Sequence, residues 1–129
     1  MVVDKISNLI IKLKNASTAG KSNVVVPNSK LIQNILKVLE DAKFIKSFDV
    51  KEKTRSINVE LAYDDADNPA ITDVKRISKL SKRVYMTSSL INNVQNGLGL
   101  TVVSTSAGVM SAKAARAAKV GGEVMFEIW

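Results

Sequence analysis

Apolar residues recur at helical spacing twice in the first 42 positions and at strand spacing directly afterwards. That change of period restricts the fold more than any other feature of the chain. Ile6, Leu9, Ile10 and Leu13 fall at i, i+3, i+4 and i+7, which puts them on one helix face and turns Lys5, Lys12 and Lys14 outward. Gly20 follows the end of that helix. Val24 to Val26 is a short β-branched run stopped by Pro27, whose missing N–H suits a strand end. Asn28 or Ser29 then supplies the N-cap of a second helix, in which Leu31, Ile35, Val38, Leu39 and Ala42 keep helical spacing. Phe44 to Val50 and Ser56 to Leu61 read as two antiparallel strands across a turn at Lys51 to Arg55, with Ile57, Val59 and Leu61 alternating with Asn58 and Glu60. Two helices with matching apolar faces and three strands make a complete α-β-α-β-β unit.

Tyr63 to Ala70, YDDADNPA, concentrates acid, Asn and Pro. It marks the expected domain boundary, giving an N-terminal domain over 1–66 and a C-terminal domain over 67–129. In the second domain Ile71 to Lys79 and Lys82 to Met86 are expected strands joined by a turn at Leu80-Ser81. Ser88 or Ser89 caps a short helix through Leu90, Ile91 and Val94 that ends at Gly97. Gly99 to Val103 is a strand, and STSAGVMS (Ser104 to Ser111) is a loop leading to a helix from Ala112 to Lys119 capped by Ser111. Gly121-Gly122 terminates that helix, and Glu123 to Trp129 forms a last strand with Val124, Phe126 and Ile128 on one face. The fold class is α+β: two small packed domains, the second of mixed β structure with short helices.

Composition narrows the chemistry. The 129 residues contain no cysteine and no histidine, which removes disulfides, thiolate metal sites, the commonest general base and the thiol nucleophile. No cofactor is expected. Met1 to Asn15 carries four charges and no small-residue cleavage site, and no apolar run approaches the roughly 20 residues that span a bilayer, so a soluble cytoplasmic protein without a membrane partner is expected. Net charge is +7, and it is unevenly spread: residues 1–70 balance at +2 and residues 71–129 at +5. The second half is the one that faces a polyanion.

Three stretches there carry candidate chemistry. STSAGVMS packs four hydroxyls and one glycine into eight residues. Ser106 and Ser111 read as local turn and cap residues, or Ser104, Thr105 and Ser106 present hydroxyls and backbone N–H groups to nucleotide edges and phosphates. Gly121-Gly122 reads as a helix stop or as a place where another backbone approaches closely. Glu123, a carboxylate amid positive charge, has a loop hydroxyl or a base amino group as its candidate donor. Lys75, Arg76, Lys79, Lys82 and Arg83 with Tyr85 form a basic stretch with one aromatic, suited to a solvated strand face or to phosphate contact and base stacking. Lys113, Arg116 and Lys119 extend the charge along one broad helix face.

An enzyme is not expected: a serine nucleophile lacks a base, and neither Ser-x-x-Lys nor Gly-x-Ser-x-Gly occurs. Gly20-Lys21-Ser22 lacks the upstream glycine and strand of a phosphate-binding loop, and Asp64, Asp65 and Asp67 lack calcium-loop spacing. A general nucleic-acid binder without structural specificity, and a serine-dependent hydrolase or phosphotransferase using Ser104 or Ser106, are the rival readings.

RISKLSKRVY, NGLGLTVVSTSAGVMS and GGEVMFEIW, in this order and spacing, resemble the bacterial small ribosomal subunit protein eight family, and DKISNLIIKLKNAS and VVVPNSKL extend the likeness over essentially the whole chain. The resemblance implies two packed α+β domains and a structural protein that binds the central domain of small-subunit ribosomal RNA and is needed for small-subunit assembly. Neighbouring small-subunit ribosomal proteins are implied partners, and the resemblance admits the protein's own operon mRNA as a second RNA, bound at a site resembling the ribosomal one to repress translation. Carried over residue by residue, Ser104, Thr105 and Ser106 contact a distorted RNA helix and Gly108 permits the loop's conformation. Gly121, Gly122 and Glu123 lie beside it, Tyr85 borders the surface, and Lys30 of the first domain touches phosphate. The chain departs from the family at Leu80-Ser81, where Pro-Gly is common, and in using lysine along the first helix where relatives often have arginine.

Overall fold

A computed structural model describes residues 4–79, 82–87 and 99–129. The chain forms two compact units, one of Lys5–Asp73 and one of Asp4 with Val74–Trp129.

The first unit runs α1 (Lys5–Thr18), β1 (Asn23–Pro27), α2 (Lys30–Asp41), β2 (Ile45–Lys51) and β3 (Ser56–Leu61). The strands form an antiparallel sheet in the order β1-β3-β2, with Val26 opposite Ile57 and Phe48 opposite Val59. Ile6, Leu9, Ile10 and Leu13 are buried as their spacing requires. In α2 the buried stripe is Ile32, Ile35, Leu36 and Leu39, while Leu31 is 37% exposed. The expected stripe was therefore set about one residue off, because the run contains more apolar residues than one face can hold. These helix faces and the inward residues Ile45, Ile57, Val59 and Leu61 form the core, each fully buried Leu or Ile contributing roughly 1.5–3 kcal/mol.

The helix ends follow from local chemistry. Ser29 caps α2 by accepting the Ile32 N–H at 3.1 Å. At its other end the Lys43 N–H bonds the Glu40 carbonyl at 3.0 Å and the Phe44 N–H bonds Leu39 at 2.9 Å, a Schellman closure with Lys43 left-handed at φ 66°. YDDADNPA folds into a tight turn: Tyr63 bridges Pro69, and Asp64 accepts the Ala66 and Asn68 N–H groups at 2.9 and 2.8 Å. Those bonds hold the Asp64 carboxyl below its ordinary pKa, the Asn68 N–H contributing most.

The second unit contains β4 (Val74–Arg76), β5 (Tyr85–Met86), β6 (Leu100–Thr105), β7 (Gly108–Ser111), α3 (Ala112–Ala117) and β8 (Gly122–Ile128). β8 is the central strand, antiparallel to β4 and β5 along one edge and to β6 along the other, with β7 outside β6. Phe126 and Ile128 are completely buried, and Val103 of β6 with Ala112 and Ala115 of α3 forms a cluster against which Met110 and Val120 pack.

Four expectations change here. The strand expected over Ile71 to Lys79 is ladder-paired only at Val74–Arg76, and that over Lys82 to Met86 only at Tyr85–Met86. STSAGVMS is not a loop between strand and helix: Ser104 and Thr105 finish β6, and Gly108 to Ser111 is a paired strand, so the stretch is a hairpin turning at Ser106-Ala107. The helix ends at Ala117, closed by a left-handed Lys119 and a Val120 N–H to Ala115 bond of 3.0 Å rather than by the glycine pair. The expected turn at Leu80-Ser81 and the helix expected over 88–97 lie outside the described residues.

Candidate nucleic-acid interface

The start of β8 gathers residues far apart in sequence. Glu123 pairs with Tyr85 on one side and Ser104 on the other, and Gly122 pairs with Met86 and Thr105. Three adjacent strands thereby juxtapose the aromatic, the glycine pair and the hydroxyls.

The hairpin tip is fixed by its own side chains. The Thr105 hydroxyl donates to the Gly108 carbonyl at 2.8 Å and accepts the Ala107 N–H at 3.1 Å. Gly108 has φ 118°, a region that side chains with a Cβ rarely enter. Ser106 is exposed at the turn and Ser104 is half-buried beside β8. The three hydroxyls thus differ: Thr105 shapes the turn, while Ser106 projects from it. Ser111 serves as a helix cap, accepting the Ala114 N–H at 3.1 Å.

The glycine pair is a close-approach site. A Cβ at Gly121 would stand 2.6 Å from the Met86 carbonyl oxygen and 2.9 Å from Thr87 Cα, and one at Gly122 would overlap the Ser104 carbonyl. Gly121 and Gly122 line, with Tyr85, Met86, Thr87 and Lys119, an open depression of about 460 Å³. Tyr85 is 69% exposed, an unusual position for a large aromatic and one that leaves its ring available for stacking.

Glu123 is engaged within the protein. One of its oxygens, Oε2, accepts from the Ser78 hydroxyl and from Arg83, the latter at 2.9 Å. Of the two candidate donors that the sequence leaves open, a loop hydroxyl or a base amino group, the hydroxyl found on Glu123 is that of Ser78 and not one of the 104–106 turn. Burial pushes the Glu123 carboxyl up, but the Ser78 and Arg83 hydrogen bonds and the charges of Arg83 and Arg76 outweigh it and hold the pKa below the ordinary value. The same bond, with the attraction of the carboxylate, raises that of Arg83.

β8 carries a bulge that sets this geometry. Val102 faces Phe126 but Val103 faces Val124, so Met125 is the extra residue. Its carbonyl accepts the Ile77 N–H at 3.1 Å and a bond from Arg76, whose side chain is only 9% exposed and pairs with Asp4 at 3.2 Å. Without the bulge Glu123 would fall out of phase with Ser104.

Lys82 and Arg83 precede Tyr85 and are exposed, with Lys82 bonded through its backbone to Lys79 at 2.8 and 3.1 Å. Lys30 belongs to the other unit, as the exposed first residue of α2. Ser78, fully buried and central to the arrangement, is a residue that sequence reasoning passed over. RISKLSK offers no local sign that one serine turns inward.

This surface offers donors, acceptors and an aromatic face on a fixed framework, while its carboxylate is bonded internally. The fold that carries it is a two-unit α+β protein with one antiparallel sheet in each unit.

The family model for ribosomal protein S8 matches residues 4–129. The small ribosomal subunit protein uS8 of Acholeplasma laidlawii is 41% identical over all of this chain and 99% of its own length. Those of Geobacter sulfurreducens and Oleidesulfovibrio alaskensis are 38% and 40% identical, covering 99% and 100% of the chain and 98% and 100% of their own lengths. The chain belongs to the ribosomal protein S8 family, and is a structural, non-enzymatic protein of the small ribosomal subunit. Among the described residues no helix is long and apolar enough to cross a membrane.

Proposed function

We propose that this protein binds the central domain of small-subunit ribosomal RNA directly, as an early structural step in subunit assembly, and that the same surface binds a similar site in the mRNA of its own operon to repress translation. The carrying observation is the convergence of Tyr85, Gly122-Glu123 and Ser104-Thr105 on three neighbouring strands. RNA duplexes hide their base edges in a deep, narrow groove, so specific recognition needs an irregular site and a compact polar surface that reaches into it. An exposed tyrosine supplies stacking, and the Ser106 hydroxyl and nearby backbone groups supply neutral hydrogen bonds. Lys82 and Arg83 supply charge, and Lys30 adds a phosphate contact from the first unit. Recognition therefore centres on residues 67–129.

Footprinting on small-subunit ribosomal RNA at moderate salt is the direct test. A compact protected region in the central domain that survives excess unrelated RNA is the expected result. Equal displacement by unrelated RNA or DNA would overturn the reading and leave a general polyanion binder.

A further inference from the structure

Among the described residues, the segment that carries Lys82, Arg83 and Tyr85 has little sheet structure to hold it. Among the described residues β5 is two residues long, and its ladder partners on β8 are Glu123 and Gly122. So short a pairing at a strand end does not by itself fix the direction of an exposed ring.

A buried serine sits where this segment meets β8. Ser78 is completely shielded from solvent. Its hydroxyl donates to Glu123 Oε2 and accepts the Val84 N–H at 3.1 Å, so one oxygen ties the segment to the carboxylate. Its backbone N–H reaches the Val124 carbonyl at 3.1 Å, and the Val124 N–H in turn reaches Val84 at 2.9 Å. Arg83 closes the arrangement on the same Glu123 oxygen at 2.9 Å. Serine suits this place because a hydroxyl is both donor and acceptor in a small volume, and bonds to an ionised carboxylate are the stronger kind.

We propose that Ser78 is a positioning residue for RNA recognition: through Glu123 and the Val84 N–H it holds this segment so that the uncharged Tyr85 ring keeps the orientation that the RNA meets, without touching RNA itself. Glu123 then works inward, as the anchor of this arrangement, and not as a reader of a base amino group. The inference rests on the RNA-binding reading above.

The consequences separate from those of a contact residue. Removing a phosphate contact lowers the salt dependence of binding, whereas removing a positioning bond lowers affinity and leaves that dependence intact. Ser78→Ala leaves the Val84 N–H without its partner and Arg83 on a less firmly held carboxylate.

The test uses the full chain and a transcript of the small-subunit central domain. Ser78→Ala is expected to bind about tenfold more weakly with an unchanged salt slope. Hydrogen exchange at the Val84 amide should speed up at least about tenfold while amides of the β6–β7 hairpin keep their rates. Ser78→Cys fills similar space with a weaker donor and acceptor, and gives the same pattern at smaller amplitude; it is the variant to read if alanine costs the fold. Glu123→Gln keeps an acceptor oxygen for Ser78 and should lose less affinity than Ser78→Ala. Affinity unchanged in Ser78→Ala, an unchanged Val84 rate, or a greater loss in Glu123→Gln would each overturn the assignment. If instead the wild-type protein shows no preference for the transcript over unrelated RNA, it is the RNA-binding reading that falls.

Discussion

Replacing either glycine at the start of β8 by alanine should damage the fold locally and binding more. At Gly121 the added Cβ stands 2.6 Å from the Met86 carbonyl oxygen, and ordinary contact begins at 3.4 Å, so one backbone must move by about 0.8 Å. At Gly122 the overlap with the Ser104 carbonyl is worse, and both sides are strands in a ladder rather than the end of a flexible side chain. Overpacking of this kind costs about 1–3 kcal/mol. In a unit of this size each kcal/mol lowers the melting temperature by roughly 4–8 °C. Neither glycine has a positive φ, so the cost is steric and not conformational. The displaced atoms belong to Met86 and Ser104, next to Tyr85 and the hairpin turn, so affinity for the central-domain transcript should fall by about tenfold or more, given that single recognition contacts contribute about 1–3 kcal/mol. Gly122→Ala should exceed Gly121→Ala in both measures, read by thermal unfolding and by filter binding. A Gly122→Ala protein that melts and binds like the wild type would refute the close-approach reasoning.

The other expectations are smaller. Because the folded-state pKa of Glu123 lies below its ordinary value of 4.5, its contribution to stability is complete above that value and is lost as pH falls through the depressed one. Urea unfolding from about pH 6 to about pH 3 should therefore show the gap between wild type and Glu123→Gln closing only below about 4.5, with the Asp64 contribution common to both. Lys82→Ala should reduce the salt slope of RNA binding by about 1 and leave the preference for the transcript over unrelated RNA unchanged. Ser106→Ala should cost roughly 1–3 kcal/mol of specific binding without altering that slope; loss of both, or of neither, would remove Ser106 from the recognising surface. Lys43→Gly, which relieves a left-handed lysine at the end of α2, should stabilise the first unit by about 0.5–1 kcal/mol in chemical denaturation.

Most of the first unit is readable because its determinants are local. The stripe Ile6, Leu9, Ile10 and Leu13, the Ser29 cap and the alternation along β3 act within one or two turns of chain, and each is found where its spacing implies. In α2 the signal was ambiguous, since Leu31, Ile32, Ile35, Leu36, Val38 and Leu39 offer two overlapping faces and only packing against the sheet selects one. β7 had no local signature. Gly108 to Ser111 is four residues without alternating polarity, and it is a strand because β6 lies opposite. The helix stop was misassigned for a related reason: glycine is the commonest left-handed cap, yet Lys119 takes that conformation here, and the glycines are needed where β5 and β6 crowd β8.

The chemical classes on the candidate surface were likewise visible as residue types: hydroxyls at 104–106, a glycine pair at 121–122, and a basic run ending in Tyr85. Absence of histidine and cysteine narrowed the chemistry before any fold was known. Which of those groups become neighbours, and which are already occupied, depends on register. Ser78 meets Glu123 across 45 positions, and the Met125 bulge sets the phase that puts Glu123 between Tyr85 and Ser104. Periodicity and capping are properties of a few consecutive residues, so the sequence by itself determined α1, α2, the longer strands and the kinds of side chain available. Strand pairing and burial are relations between distant residues, so only the tertiary structure decided that Thr105 shapes the turn, that Glu123 is bonded inward, and that a serine in a lysine-rich run lies fully buried.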